Sequence, residues 1–176
     1  MASLGTPGTP ADLVVRAAVE ADLRRVVELI TLGAVPGRPH HEDPDDMAPY
    51  VAALREIGRT GGEVLVAAAG EEVVGVCQLL VLQHLQVRGG RCAELESVHV
   101  HPDWRGRGVG AALVRSAVDR ARALGCYRVQ LTSNRKRPEA HRFYERLGLV
   151  PSHVGFKLTL APGPPGPPGS PLDLKA

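Results

Sequence analysis

The apolar positions of this chain change period several times, and each change marks a predicted element. Leu13, Val14 and Val15 form a short β-type run, which predicts a strand over 12–16. Leu23, Val26, Val27 and Ile30 then recur at i, i+3, i+4 and i+7, one apolar face of a helix. Glu20 and Asp22 stand near its positive end, and Gly33 and Pro36 end it. A second helix is predicted over 46–59, entered through acidic residues. The segments 63–69, 71–81 and 92–100 are rich in Val and Leu and are separated by Gly70 and Gly89-Gly90, the pattern of an antiparallel meander. A long helix over 108–124 stops at Gly125, and a buried-type strand follows over 128–132. The next helix begins at Pro138, a favoured first-turn residue, and puts Ala140, Phe143, Tyr144 and Leu147 on one stripe before Gly148. A last strand is predicted over 152–160. The order β-α-α-β-β-β-α-β-α-β predicts an α+β fold with a mixed sheet, parallel only where a helix forces a crossover.

The ends carry a different composition. Residues 1–11 are rich in Gly, Thr and Pro, and 161–176 opens with the run APGPPGPPGSP. Such segments cannot bury enough apolar surface to offset their ordering entropy, so both are expected to be disordered tails around one domain over 12–160. Two Gly-Pro-Pro triplets are far too few for a collagen helix. Hydrophobic residues make up 44% and charged residues 23% of the 176, with no apolar run near the ~18 residues of a membrane span. The net charge of +2 gives no global field toward nucleic acid, and 3% aromatics leaves few platforms for base stacking. Neither nucleic acid nor membrane is therefore expected as a partner. Cys77, Cys92 and Cys126 are odd in number and widely spaced, without a CxxC pair or signal-peptide pattern, which suits reduced thiols in a cytoplasmic protein.

Candidate chemistry concentrates in 94–111, where a strand runs into a glycine-rich turn that opens a helix. A helix N-terminus offers unpaired N–H groups and a positive dipole end, and glycines let a ligand approach the backbone. Arg105 and Arg107 add charged donors, so the turn suits phosphate. A Walker A loop is excluded, because no Gly-Lys-Ser/Thr follows. Gly106-x-Gly108-x-x-Ala111 satisfies the dinucleotide fingerprint literally. That fingerprint, however, belongs at the first βα turn of a parallel unit with an acidic residue ending the next strand, whereas this one lies mid-chain and the next strand runs into Thr132-Ser133-Asn134.

A third pattern fits better. Arg105-x-x-Gly108-x-Gly110 resembles the Gln/Arg-x-x-Gly-x-Gly/Ala signature of the GCN5-related N-acetyltransferases, and the predicted element order is the one that family has. A second stretch, 139–149, with Ala140, Tyr144, Glu145 and Gly148, resembles the family's A-x-x-x-Tyr-Glu-x-x-Gly helix. Within the superfamily, Glu96-Ser97-Val98-His99-Val100, the run 125–131 and Phe143-Tyr144-Glu145 are similar to the glucosamine-6-phosphate N-acetyltransferase branch, mainly in the cofactor half. Between Leu131 and Tyr144 the chain carries extra residues relative to that branch, including Arg135-Lys136-Arg137, and the acceptor-binding elements do not obviously match.

The resemblance implies an acyltransferase that uses acetyl-coenzyme A as cosubstrate and passes the acetyl group directly to a primary amine of a small molecule. The pantetheine would pair with Val98, His99 and Val100, and the pyrophosphate would sit on Arg105, Gly106, Arg107, Gly108, Val109, Gly110 and Ala111. Asn134, Arg137 and Phe143 are further cofactor contacts by the same resemblance. Glu96 is the candidate base, directly or through a water, with Glu94 as its rival. Plain alternation puts Glu94, Glu96, Val98 and Val100 on one face, and a bulge expected near this point would shift the facing by one residue. Tyr144 is the candidate acid for the departing thiolate, and its competing reading is a core aromatic. The Val98 N–H is the candidate oxyanion donor. His99 and His101 are two apart on a strand, but no third ligand has metal spacing, so no metal is expected. The loop His40-His41-Glu42-Asp43 lies where such enzymes build acceptor sites, and the four acidic residues of 42–46 suit a cationic amine or simply start the second helix. A non-catalytic acyl-coenzyme A sensor is the alternative function, a protein substrate is a third, and a homodimer through the last strand is a further implication.

Overall fold

A computed structural model describes residue 10 and residues 12–34 and 42–158. Residues 35–41, which include Pro36, His40 and His41, lie outside the described residues, as do 1–9, 11 and 159–176 with most of the predicted tails. Five strands form one sheet in the order β1-β2-β3-β4-β5. They are β1 (Leu13–Ala17), β2 (Glu63–Ala69), β3 (Glu72–Gln83), β4 (Arg91–Val100) and β5 (Cys126–Leu131). The first four pair antiparallel, while β4 and β5 pair parallel. The helix α4 (Val109–Ala123) makes the crossover that a parallel pair requires.

The helices α1 (Leu23–Leu32) and α2 (Ala48–Arg59) cover one face of the sheet, and α4 covers the other. A single turn, α3 (Gln86–Gly89), joins β3 to β4, and α5 (Pro138–Arg146) follows β5. Alternation along the strands feeds both layers. Leu65, Ala67, Cys77, Leu79, Ala93 and Leu95 meet Val109, Leu113 and Ala117 of α4, whereas Val64, Val66, Val73 and Val76 meet Val26 and Leu29 of α1. A sheet buried on both faces explains why its central strands read as nearly continuous apolar runs.

Three expectations change. The second helix starts at Ala48, with Pro49 in its first turn, so Asp45 and Asp46 precede it and no acidic residue occupies that turn. Asp45 instead accepts a hydrogen bond from Arg24 of α1 at 3.3 Å. The meander contains the α3 turn, where Val87 (φ 52°) and Arg88 (φ 57°) take left-handed backbone that neither residue type advertises. The predicted last strand is absent over 152–158, while 159–160 lie outside the described residues. Val154, Phe156 and Leu158 keep the alternation of a strand but are 69%, 92% and 87% exposed, because no ladder partner lies beside them among the described residues.

The entry to α1 is pinned electrostatically. Asp22 is 8% exposed. It accepts two hydrogen bonds from the Arg16 guanidinium at 2.6 and 2.9 Å and one from the Val19 N–H at 2.8 Å. The Arg16 hydrogen bonds, helped by Val19, hold its carboxyl below the usual range against the opposing effect of burial. A depressed folded value means stability that is complete above the unfolded carboxyl range and is lost as pH falls through the folded one. Because Arg16 is 41% exposed, the effect is discounted for solvent screening. Asp22→Asn should cost about 1–2 kcal/mol at pH 7, and its denaturation midpoint should approach that of wild type below about pH 4.

Candidate active site

The centre of the site is a break in the regularity of β4. Opposite Val76 and Gln78 of β3, the partners jump from His99 to Glu96, so β4 carries one extra residue. Ser97 absorbs it with φ 50°. This is the expected bulge, and it corrects plain alternation. Leu95, Val98 and Val100 all pack toward α4, whereas Ser97 lines the space under α1 and α2, and His99 lies against the end of α1. Glu94 and Glu96 therefore share the α1–α2 side, and Val98 and Val100 do not.

The second break is between β4 and β5. Their pairing ends at Leu95↔Leu131, yet β4 continues to Val100 bound to β3 alone. β5 ends at Leu131, so the edge of β4 from Glu96 to Val100 has no strand partner on that side among the described residues, and an extended ligand can pair with it. Residues Val98, His99 and Val100 all lie on this stretch.

Two carboxylates stand on the same strand face with different surroundings. Glu94 accepts a hydrogen bond from the Gln130 amide at 3.1 Å. Glu96 makes no hydrogen bond or ion pair among the described residues and is half-buried beside the bulge. The geometry thus favours Glu96 over Glu94 as a group free to take a proton.

Tyr144 approaches from α5, with its ring 5.0 Å from that of Phe143 in an edge-on arrangement. Burial raises its phenol above the ordinary tyrosine range; Arg137 opposes this, and Cys77 and Glu96 add to it. The influence of Glu96 puts the phenol and the carboxylate in one electrostatic neighbourhood, with the phenol protonated at neutral pH. Cys77 is itself fully buried and pushed up to about 12 by that burial, so it is an inert thiol.

The glycine-rich turn forms a cradle at the far end of β4. Gly106 (φ 73°) and Gly108 (φ 79°) both adopt left-handed backbone, which explains the glycines there. Gly108 is the N-cap of α4, and no side chain caps that terminus. Gly110 is needed for close approach, since a Cβ on it would stand 3.3 Å from the Phe143 ring and 3.6 Å from Val100. Arg105 donates from Nε to the Val100 carbonyl at 3.2 Å, and the Arg107 guanidinium lies 5.3 Å from the centre of the Trp104 ring. Val109 is buried in the core, so only its backbone is left for a ligand, and Ala111 follows in the same first turn. An uncapped N-terminus of a four-turn helix, two left-handed glycines and two arginines fit the phosphates of a coenzyme.

Asn134 shapes the turn that leads into α5. Its Oδ1 accepts from the Lys136 N–H at 2.9 Å, and its carbonyl accepts from the Arg137 N–H at 2.9 Å. Arg137 caps α5, and its charge acts on both His99 and Tyr144. His99 is pushed down to about 4 by burial first, then by Arg137 and Arg105, against the pull of Glu42, so it is a neutral imidazole. Its ring occupies the space a Cβ would need at Gly33, the C-cap of α1. Ser133 Oγ and His101 Nδ1 are buried without a hydrogen-bond partner among the described residues. No group of three or more His, Cys, Asp or Glu suited to a metal occurs among the described residues, and no helix among them is long and apolar enough to cross a membrane.

The sequence did not reveal a cavity of about 80 Å³ between α1, α2 and the sheet, bordered by Tyr50, Gln78 and Ser97. The half-apolar stripe of α2 was its one visible sign.

Comparison with known proteins agrees with this layout. The model of the acetyltransferase (GNAT) family matches residues 23–149. A glucosamine 6-phosphate N-acetyltransferase of Trypanosoma brucei brucei is 33% identical over 141 residues, 78% of this chain and 88% of that protein. An aminoalkylphosphonate N-acetyltransferase of Salmonella typhimurium is 36% identical over 95 residues, 54% of this chain, and the match spans 61% of that relative's length. Among solved structures, a protein described as a transcriptional regulator from Bacillus halodurans superposes with a TM-score of 0.77 at 37% identity, covering 84% of this chain and 99% of the other. With fold, motifs and family model in register over most of its length, the chain belongs to the acetyltransferase (GNAT) family of acyltransferases.

Proposed function

We propose that the chain transfers an acetyl group from acetyl-coenzyme A to a primary amine of a small molecule, by direct attack. The observation that carries this reading is the end of β4–β5 pairing at Leu95↔Leu131, which leaves the edge of β4 from Glu96 onward without a strand partner on that side, with an unpaired Glu96 at its start and the Tyr144 phenol within its electrostatic reach. The coenzyme supplies the thioester. Residues 105–111 bind its phosphates, the open edge of β4 aligns its pantetheine, and the Val98 N–H polarises the carbonyl. Glu96 takes the proton of the incoming ammonium, and Tyr144 gives its proton to the sulfur. None of Cys77, Cys92 and Cys126 falls within the two motif stretches 94–111 and 139–149, which supports direct transfer over an acyl-cysteine route. The names of the Trypanosoma and Salmonella relatives, both N-acetyltransferases of small amines, support the substrate class. The exposed alternation of Val154, Phe156 and Leu158 supports a homodimer as the assembled form.

The test is thiol release from acetyl-coenzyme A with and without amines, alongside calorimetric coenzyme binding. Amine-dependent release is expected; tight binding with no release by any amine would make the chain a sensor. In the same assay Arg107→Ala should weaken coenzyme binding about tenfold at low salt, with a smaller loss at high salt because the contact is charged and exposed.

A further inference from the structure

The space beneath α1 and α2 ends at the β4 bulge. Its walls are Val27 and Ile30 of α1 and Ala53 and Leu54 of α2, and its floor reaches Gln78 and Ser97. α2 covers the sheet only through Leu54 and Ile57. None of its residues is fully buried, so its apolar stripe is only partly covered. The free space, about 80 Å³, is small and its walls are mostly hydrocarbon.

Polar groups are few and lie at the ends. Tyr50 Oη is engaged by the Asp43 N–H at 2.8 Å, which leaves Gln78 and Ser97 as the polar lining nearest the reaction. Gln78 pairs in register with Glu96, so the slot opens beside that carboxylate. Among the described residues that line the slot none is a cation; Arg105 and Arg137 act on His99, farther along β4. A ligand in the slot therefore meets negative charge at one end and hydrocarbon along its body.

We propose that this slot holds the carbon skeleton of the acceptor, and that the acceptor is a primary amine on a compact apolar body, about the size of a branched alkyl chain or a benzyl group. This rests on the acetyltransferase reading above and names its substrate class. Continuity with the bulge is what selects the occupant: an ammonium at Glu96 directs the rest of the molecule over Ser97 into the slot. An amino sugar would lose water from several hydroxyls against Val27, Ile30 and Leu54, with too few partners to replace it. Its phosphate would find no cation among the residues that line the slot.

Steady-state kinetics with acetyl-coenzyme A test this, comparing isoamylamine and benzylamine with glucosamine 6-phosphate and 2-aminoethylphosphonate. The apolar amines are expected to lead in kcat/KM by about tenfold or more. Ala53→Phe fills the slot from the exposed side of α2; it should raise KM for isoamylamine about tenfold and leave KM for acetyl-coenzyme A unchanged. Leu54→Ala widens the slot and should shift preference from isoamylamine toward the larger benzylamine. If the phosphorylated amines lead, or if both variants keep wild-type acceptor preference, the slot is not the acceptor site, while acetyl transfer itself stands. If no amine of either kind is acetylated although coenzyme binds, the acetyltransferase reading falls and takes this inference with it. Should Ala53→Phe fail to fold by circular dichroism, the size preference of Leu54→Ala decides alone.

Discussion

Tyr144→Phe should lower kcat about 100-fold and leave KM for acetyl-coenzyme A within about twofold. The size of the effect follows from the leaving group. A thiol with an ordinary pKa near 8.5 departs tolerably well as an anion, so protonating it supplies the lower end of the ~10²–10⁴ that general acids contribute. The substitution keeps the ring, hence the edge contact with Phe143 and the packing against the α4 side of the core. Loss of turnover without loss of stability therefore isolates the hydroxyl. The pH profile gives a second readout. Burial raises the phenol above the tyrosine range, so wild-type kcat should show no alkaline fall from this group until above about pH 10. Unchanged kcat in Tyr144→Phe would leave the residue as a core aromatic and remove the acid from the mechanism.

The features legible in the sequence were those that periodicity or single residue types encode. The α1 stripe at Leu23, Val26, Val27 and Ile30, the long crossover helix and the start of α5 at Pro138 sit where spacing and caps place them. Gly106 and Gly108 needed left-handed backbone, and Gly110 needed close approach, so those glycines could be read as a cradle. Where the backbone departs from its period without a glycine, the residue types did not announce it, and near Ser97 only the family resemblance led to an expected bulge. Ser97, Val87 and Arg88 take positive φ although their types do not favour it. The position of the Ser97 bulge decides which face every later residue of β4 occupies, and two-residue alternation cannot supply that. Pairing is equally invisible. Val154, Phe156 and Leu158 alternate as a strand should, but alternation specifies a face to bury and not the edge that will bury it. Alternation puts Glu94 and Glu96 on one face with Glu96 the favoured base, and the register Glu94↔Gln130 explains why one carboxylate is engaged and the other is not.

Glu96→Gln should lower kcat/KM for the amine about 100-fold at pH 7, and the deficit should shrink as pH rises. An alkylamine with a pKa near 10.4 is neutral in only about one molecule in 2,500 at pH 7, so a group that removes the proton at the site has a large factor to recover. Solvent supplies about tenfold more free amine with each pH unit, and toward pH 10 that supply makes a base redundant. Wild type and variant should therefore converge at alkaline pH. Glutamine preserves the size of the side chain beside the Ser97 bulge, so the comparison removes charge and proton affinity and keeps packing. Glu94→Gln is the control, because its carboxylate is already held by Gln130 and its loss should change kcat/KM by less than about threefold. A Glu96→Gln deficit that stays constant from pH 7 to pH 10 would assign the carboxylate to binding the ammonium and not to deprotonating it. Equal losses in the two variants would place the effect in the strand, since both residues lie on the same face of β4 and only one is free to accept a proton.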